Sequence, residues 1–149
     1  MTTIAINRNS IACDRQFVYG GYTKMLGKTK VYQLVPEVAK GMFRHPTAYV
    51  GFAGDAGMWS KVVNWFVDPS SKPPKISGIE LVLLTGKKEI YTATSLRNWM
   101  EVEDKFWAIG SGSQFALAAM STGQTPLEAV KTASKFDVNT GMGFKEYTI

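Results

Sequence analysis

The second residue of the chain carries the most reactive chemistry that the sequence offers. A start Met followed by the small side chain of Thr2 is a site where we expect the methionine to be removed. Removal would leave Thr2 with a free α-amine next to its own hydroxyl, so one residue would hold both a nucleophile and a base. Because an α-amine titrates near ~7.7–8, part of it is neutral at pH 7 and can accept a proton. Alternatively, Thr2 merely begins a strand.

Short strands must position this residue. Period-2 alternation predicts strands over residues 3–7 and 10–14, which form a β-hairpin, and a further strand over residues 29–35. The glycine-containing stretch 15–28 is predicted to be a loop. Residues 38–45 stay ambiguous, with a short helical turn as one interpretation.

The middle of the chain carries a clear helix signal. Residues 47–53 read as a buried strand, and Asp55 follows as a candidate N-cap. Apolar residues then recur at helical spacing and predict an amphipathic helix over residues 56–67. The later elements are predicted as a hairpin over residues 78–85 and 87–92, a strand over 106–109, helices over 114–122 and 125–136, and a last strand over 144–149. This order favours antiparallel sheets covered by helices.

Composition narrows the class of protein. The chain has 149 residues, of which 45% are hydrophobic and 19% charged, so we expect one globular domain over residues 1–149. It contains no apolar run long enough to cross a membrane and no visible secretory signal. With a single cysteine, Cys13, and a single histidine, His45, we expect a reducing compartment and neither a metal nor a cofactor. The net charge of +5 comes from scattered lysines, which indicates a solvated surface rather than a nucleic-acid site.

Several stretches match one family in order and approximate spacing. They are the start M-T-T-I, Ile11-Ala12-Cys13-Asp14, Lys28-Thr29-Lys30-Val31, Gly51-Phe52-Ala53-Gly54-Asp55, Ala108-Ile109-Gly110-Ser111-Gly112-Ser113-Gln114-Phe115-Ala116 and Asp137-Val138-Asn139-Thr140-Gly141. Together they resemble the proteasome β subunits, most nearly the bacterial HslV peptidases. The resemblance covers most of the chain. It implies an α+β fold, the four-layer αββα sandwich of N-terminal-nucleophile hydrolases.

The resemblance also implies roles for individual residues. Thr2 would be the nucleophile, Lys30 the adjacent cation, Asp14 the partner of Lys30, and Gly54 the donor of a backbone N–H to the oxyanion. The residues implied to hold the free amine are Ser111, Asp137 and Thr140. Thr140 stands where the family usually has Ser, and it keeps the hydroxyl. Taken alone, each of these residues also fits a surface, capping or turn role.

The implied activity is that of a threonine peptidase that cleaves unfolded polypeptides inside a cytoplasmic homo-oligomeric ring. Between Gly54 and the hairpin that begins at Gly78 the sequence has one helix where the family has two, so we expect one outer helical layer to be reduced. Since that layer helps such subunits meet partners, an HslU-type ATPase does not follow from the resemblance. A catalytically silent assembly or binding protein of the same fold is the main alternative, and an amidase acting on a small amide is a weaker one. A retained Met1 would silence the site and favour the first alternative.

Overall fold

The computed structural model describes residues 2–19 and 23–149 of the chain. Within these residues the strands are β1 Thr3–Asn7, β2 Ser10–Asp14, β3 Gln16–Tyr19, β4 Thr23–Leu26, β5 Val31–Gln33, β6 Ala48–Ala53, β7 Glu80–Thr85, β8 Ile90–Ala93, β9 Met100–Val102, β10 Phe106–Gly110 and β11 Phe144–Thr148. The helices are α1 Pro36–Phe43, α2 Ala56–Val67, α3 Ser113–Ser121 and α4 Pro126–Ser134. The predicted removal of Met1 lies outside the described residues. No helix of the described part of the chain is both long and apolar enough to cross a membrane.

Two antiparallel sheets form the centre of the molecule. The first is four-stranded with the order β10-β1-β2-β11, and the second is five-stranded with the order β5-β6-β7-β8-β9. In the first sheet Ile4 pairs with Cys13 on β2 and with Ile109 on β10, so β1 is a central strand. Strands β3 and β4 form a separate hairpin.

Alternation along β1 and β2 sends the large and the small side chains to opposite faces of the first sheet. The isoleucines Ile4, Ile6 and Ile11 pack between the two sheets, against Val82, Leu84 and Ile90. The alanines Ala5 and Ala12 face outward and pack under α3 and α4, against Ala116, Ala129 and Ala133. Such small residues allow the helices to approach the sheet closely. The outer face of the second sheet is covered by Phe43 of α1 and by Val62, Trp65 and Phe66 of α2.

The layers are therefore helix, sheet, sheet, helix, which is the predicted αββα arrangement. Only α2 lies between Gly54 and Gly78 in the described structure, as the sequence indicated. The helix α1, which comes from the link before β6, packs on the same face. The outer layer on that side therefore combines one helix of 8 residues and one of 12 residues.

Local sequence signals account for the best predictions. The helix α2 has the predicted bounds, and the Asp55 side chain caps it by accepting a hydrogen bond from the Gly57 N–H at 2.8 Å. The helix α4 begins at a complete capping box between Thr125 and Glu128.

Two predictions for the early part of the chain were wrong. Stretch 15–28 is not a simple loop, because residues 16–19 and 23–26 within it form the hairpin of β3 and β4; the part of the predicted loop at residues 20–22 lies outside the described residues. The strand predicted over residues 29–35 is limited to β5, and Pro36, the residue after that stretch, starts α1. Proline is favoured in the first turn of a helix because its missing N–H would have no helical partner there.

Candidate functional site

Three elements bring a hydroxyl, a carboxylate and an ammonium together. Thr2 lies immediately before β1, Asp14 ends the neighbouring strand β2, and Lys30 immediately precedes β5 of the other sheet. The Lys30 Nζ donates a hydrogen bond to the Thr2 Oγ1 and lies 3.0 Å from the Asp14 Oδ1. The Thr2 hydroxyl in turn donates to the same Asp14 oxygen. The structure thus places three of the predicted site residues in direct contact.

Burial strengthens the electrostatic coupling of this group. Only 3% of the Lys30 side chain and none of the Asp14 side chain is exposed. Burial lowers the pKa of the Lys30 ammonium, and the Asp14 carboxylate opposes that shift by stabilising the cation. Three backbone N–H groups also donate to the carboxylate, those of Thr3 and Gln16 at 3.2 Å and that of Gly141 at 3.1 Å. Asp14 is therefore held by several donors in a place from which water is excluded.

The predicted residues Ser111, Asp137 and Thr140 form a second network beside the first. The Ser111 and Thr140 hydroxyls both donate to the Asp137 Oδ2 at 2.6 Å. Thr140 Oγ1 lies 2.7 Å from Thr3 Oγ1, and the Ser111 Oγ, whose proton points to Asp137, also lies 3.3 Å from the Thr2 carbonyl oxygen. In the described contacts this network therefore holds the Thr3 hydroxyl and lies against the Thr2 carbonyl oxygen, and its implied contact with the α-amine of Thr2 stays a prediction.

Asp137 is the acceptor at the centre of the second network. Burial acts to raise the pKa of its carboxyl group, but hydrogen bonds from Ser111, from Thr140 and from the backbone of Asn139 together bring that pKa below its usual value. The ionised form is thereby favoured. An ionised Asp137 accepts from both hydroxyls at once, so the Thr140 oxygen can accept a hydrogen bond from the Thr3 hydroxyl.

Gly54 lies at the edge of a cleft, just before the N-cap of α2. Its φ of +137° is a conformation that residues with a Cβ rarely adopt, and an added Cβ would come within 2.6 Å of the Gly78 carbonyl oxygen. The requirement for glycine here is thus both conformational and steric. The N-terminus of a helix favours negative charge, so this edge of the cleft suits an anionic oxygen.

The cleft opens directly onto Thr2 and Lys30 and has a volume of about 740 Å³. Its lining is mostly apolar, and it consists of Thr2, Phe17, Val18, Lys30, Phe52, Gly54, Asp55, Ala56, Gly57 and Gly78. The Phe17 ring centroid lies 4.9 Å from the Lys30 Nζ, so the ring also screens the ammonium from solvent. Polar reactive groups in the lining of a mostly apolar cleft are the arrangement expected of a ligand site.

The sequence analysis missed Thr3, Gln16 and Gly112. Thr3 and Gln16 are buried polar residues, and both contact the site. A Cβ on Gly112 would come within 1.9 Å of the Thr3 Oγ1, so this glycine makes room for the threonine. The sequence marked only Gly112, as the last glycine of the G-S-G segment. It gave no sign of Thr3 and Gln16, because their burial depends on contacts with distant parts of the chain.

No family model and no curated protein matches the chain by sequence. Solved structures do match along its whole length. BPH from Thiobacillus denitrificans has a TM-score of 0.74 at 18% identity, with 99% of this chain and 97% of that chain covered. Eukaryotic HslV from Trypanosoma brucei has a TM-score of 0.67 at 18% identity, with 98% of each chain covered.

This chain has the HslV-type, proteasome-like fold. A third structure extends the match beyond HslV itself: a Gly-1 mutant of Anbu from Hyphomicrobium sp. strain MC1 has a TM-score of 0.73 at 11% identity, covering 100% of this chain and 82% of that chain. At identities this low the likeness concerns the fold. The HslV-type fold explains why the N-terminus of β1, the end of β2 and the start of β5 meet at one place, and the chemistry of that place must be argued from its own residues.

Proposed function

We propose that this chain is a threonine-type peptidase that uses Thr2 as an N-terminal nucleophile. The observation that carries the proposal is the contact of the Thr2 hydroxyl with both Lys30 and Asp14 at the end of an open cleft. The HslV-type fold supports it, and so does the mutual contact of three residues for which the sequence resemblance implied catalytic roles. The proposal requires that Met1 is removed, so that Thr2 gains a free α-amine.

The reaction would proceed by acyl transfer. The Thr2 oxygen attacks the carbonyl carbon of a peptide, and its proton passes to the α-amine of the same residue. Lys30 stabilises the anionic character of the attacking oxygen, and Asp14 holds Lys30 in place. The oxygen of the tetrahedral intermediate would be stabilised at Gly54 beside the N-terminus of α2.

Collapse of this intermediate breaks the C–N bond, and the proton returns to the departing amine. The product is an ester between the acyl part of the substrate and Thr2. Water then attacks the ester carbonyl, which releases a carboxylic acid and regenerates the hydroxyl. The Ser111, Asp137 and Thr140 network keeps Thr2 in position during both steps through its contacts with the Thr2 carbonyl oxygen and the Thr3 hydroxyl.

We further propose that the peptidase works as a homo-oligomer and cleaves unfolded polypeptides. A protease that is open to all proteins would damage its surroundings, so enclosure by copies of the chain is the expected safeguard. The Anbu complex from Pseudomonas aeruginosa, which shares the fold with a TM-score of 0.68, forms a helical assembly. Sedimentation at micromolar concentration tests this part: we expect particles well above the 16.4 kDa of one chain, and a monomer alone would contradict it.

The decisive experiment for the chemistry combines intact mass with turnover. We expect the mass to show loss of Met1 and a fluorogenic peptide to be cleaved. Thr2→Ala should abolish cleavage, Thr2→Ser should retain part of it, and Thr148→Ala, at an exposed threonine on β11, should leave it unchanged. Full turnover by Thr2→Ala would reject Thr2 as the nucleophile.

A covalent probe tests the same residue independently of turnover. BPH from Thiobacillus denitrificans has been solved in complex with epoxomicin. We expect epoxomicin to add its mass once to the wild-type chain and not to the Thr2→Ala variant. A chain that keeps Met1, cleaves nothing and is not labelled would instead support the alternative of a silent protein with this fold.

A further inference from the structure

Gln16 is a buried polar side chain for which the proposed reaction has no use. It is 3% exposed, and its Nε2 donates a hydrogen bond to the Val138 carbonyl oxygen at 2.8 Å. A buried amide is costly unless it is hydrogen-bonded, so this contact fixes the orientation of the side chain. Its own backbone meanwhile touches the site: the Gln16 N–H donates to Asp14, and its carbonyl oxygen accepts from the Lys30 Nζ.

The Gln16 side chain is one of several contacts that join residues 14–16 to the segment of residues 137–141. Asp14 Oδ2 accepts from the N–H of Gln16 and also, at 3.1 Å, from the N–H of Gly141. Val138 and Gly141 both belong to the segment of residues 137–141, which we call the corner. The corner is thus attached to residues 14–16 at three points: the Asp14 carboxylate, the Arg15 N–H, which donates to the Gly141 carbonyl oxygen at 3.2 Å, and the Gln16 amide. Of these three contacts, only that of the Gln16 amide holds Val138.

The corner also holds the residue next to the nucleophile. Thr140 Oγ1 lies 2.7 Å from Thr3 Oγ1, while the Thr2 hydroxyl is held by Lys30 and Asp14. Thr2 is therefore held by the Lys30–Asp14 pair, and the next residue, Thr3, is held by the corner. A shift of the corner relative to the ion pair would turn the Thr2 hydroxyl without removing any group that contacts it.

We propose that Gln16 is a positioning residue that keeps the corner in a fixed place relative to the Lys30–Asp14 pair and thereby aims the Thr2 hydroxyl. This inference rests on the proposed peptidase function, because the atom that is aimed is the nucleophile. The Gln16 side chain acts through the corner, and Gln16 is not among the described residues that line the cleft. Its loss therefore reduces kcat, whereas KM changes little.

The test uses two substitutions of similar size and a matched control. Gln16→Met keeps the volume and removes the donor, and we expect kcat to fall about 10- to 100-fold, the range that a small misplacement of reacting groups causes. Gln16→Glu adds a pH signature, because a protonated carboxyl group can donate to the Val138 carbonyl oxygen and a carboxylate cannot. The ratio of its kcat to that of the wild type should therefore rise as the pH is lowered from neutral toward the ordinary Glu range near ~4.3.

The control is Gln33, an exposed glutamine on β5 close to Lys30. Gln33→Met and Gln33→Glu should leave kcat and its pH dependence as in the wild type. The inference is overturned if Gln16→Met has the same kcat as Gln33→Met, or if the ratio for Gln16→Glu does not change with pH. Should Gln16→Met fail to fold, the pH series of Gln16→Glu decides alone.

Failure of the proposed function would be visible separately. If the wild-type chain cleaves no peptide, the peptidase proposal fails, and a crystal structure of Gln16→Met decides the positioning role instead. We then expect the contact between Thr3 and Thr140 to lengthen beyond hydrogen-bond distance. A contact that stays at the 2.7 Å of the wild type would overturn the inference.

Discussion

The Lys30 ammonium and the Asp14 carboxylate approach to 3.0 Å in a place where both side chains are almost completely shielded from water. Lys30 comes from the edge of one sheet and Asp14 from the other, so their contact spans the two sheets of the sandwich. The Thr2 hydroxyl contacts both of them. A buried ion pair of this kind loses more when one partner is removed than when both are replaced.

Removal of Lys30 should separate a catalytic pair from a structural one. We expect Lys30→Ala to reduce turnover about 10²–10³-fold, the usual cost of losing one group that stabilises developing charge. It should also lower the free energy of unfolding by about 3–5 kcal/mol, because Asp14 is left as an uncompensated buried charge. Turnover of a fluorogenic peptide and urea unfolding measure the two effects.

The double variant Lys30→Ala/Asp14→Ala completes the cycle. Its loss in the free energy of unfolding should be smaller than the sum of the losses in Lys30→Ala and Asp14→Ala, while turnover stays low. Lys30→Arg should not restore turnover, because a wide planar guanidinium replaces a compact charge. Lys145→Ala, at an exposed lysine on β11, is the control. Unchanged turnover in Lys30→Ala would contradict a catalytic role of Lys30, and the likeness to HslV would then concern the fold alone.

Burial lowers the pKa of Lys30, and this predicts the alkaline side of the pH profile. If Lys30 works as a cation, kcat/KM should fall with rising pH below the ordinary lysine value of about 10.4. Asp14 raises this pKa, so Asp14→Asn should move the fall to lower pH in whatever turnover remains. Glu146→Gln, at an exposed position on β11, should not move it. A shift to higher pH in Asp14→Asn would contradict this account.

Asp137 should contribute to the acid dependence of stability. Its pKa is lowered in the folded state, so its ionised form stabilises the fold above the unfolded value of about 3.9, and that contribution disappears as the pH falls through the folded value. Asp137→Asn should therefore be less stable than the wild type at pH 6, and the difference should shrink toward pH 3. Urea midpoints at both pH values measure it, with exposed Asp104→Asn as the control. A difference that is equal at both pH values would show that charge is not involved.

Gly112 offers a steric test of the second network. An added Cβ would lie 1.9 Å from Thr3 Oγ1 and 3.2 Å from Asp137 Oδ2, so Gly112→Ala must displace one of them. We expect a loss of about 1–3 kcal/mol in the free energy of unfolding, typical of overpacking, together with reduced turnover. Gly41→Ala is the matched control, because a Cβ there meets nothing within 4 Å and the residue lies inside α1. The control should gain about 0.5–1 kcal/mol from helix propensity. Equal stability of the two variants would show that the Gly112 site has room to spare.

Local signals in the sequence were sufficient for much of the fold. Alternation of Ile4, Ala5 and Ile6 determined both the strand β1 and its two faces, because the period of a strand is 2 regardless of what it packs against. Asp55 as an N-cap and the apolar spacing after it determined α2, since capping and helical periodicity act within a few residues. The order of the short motifs then determined which fold these elements build.

The hairpin of β3 and β4 shows where these signals end. The residues of β4 are exposed, so they carry no alternation between buried and open positions. Periodicity marks a strand only where one face is buried, and the glycines of the same stretch indicated a loop. The two strands β3 and β4 form because their backbones hydrogen-bond to each other, and the pattern of side chains does not reveal this pairing.

The sequence by itself determined which residue types could do chemistry, and the tertiary structure decided which of them meet. Without the family resemblance, the sequence around Lys30 favoured a surface lysine on a strand, whereas Lys30 is buried in the structure. The amide of Gln16 reaches a carbonyl 122 residues further along the chain, and Thr3 meets Thr140 across 137 residues. Hydrogen bonds of this kind depend on the positions of whole elements, to a fraction of an ångström, and no local pattern of residues encodes them.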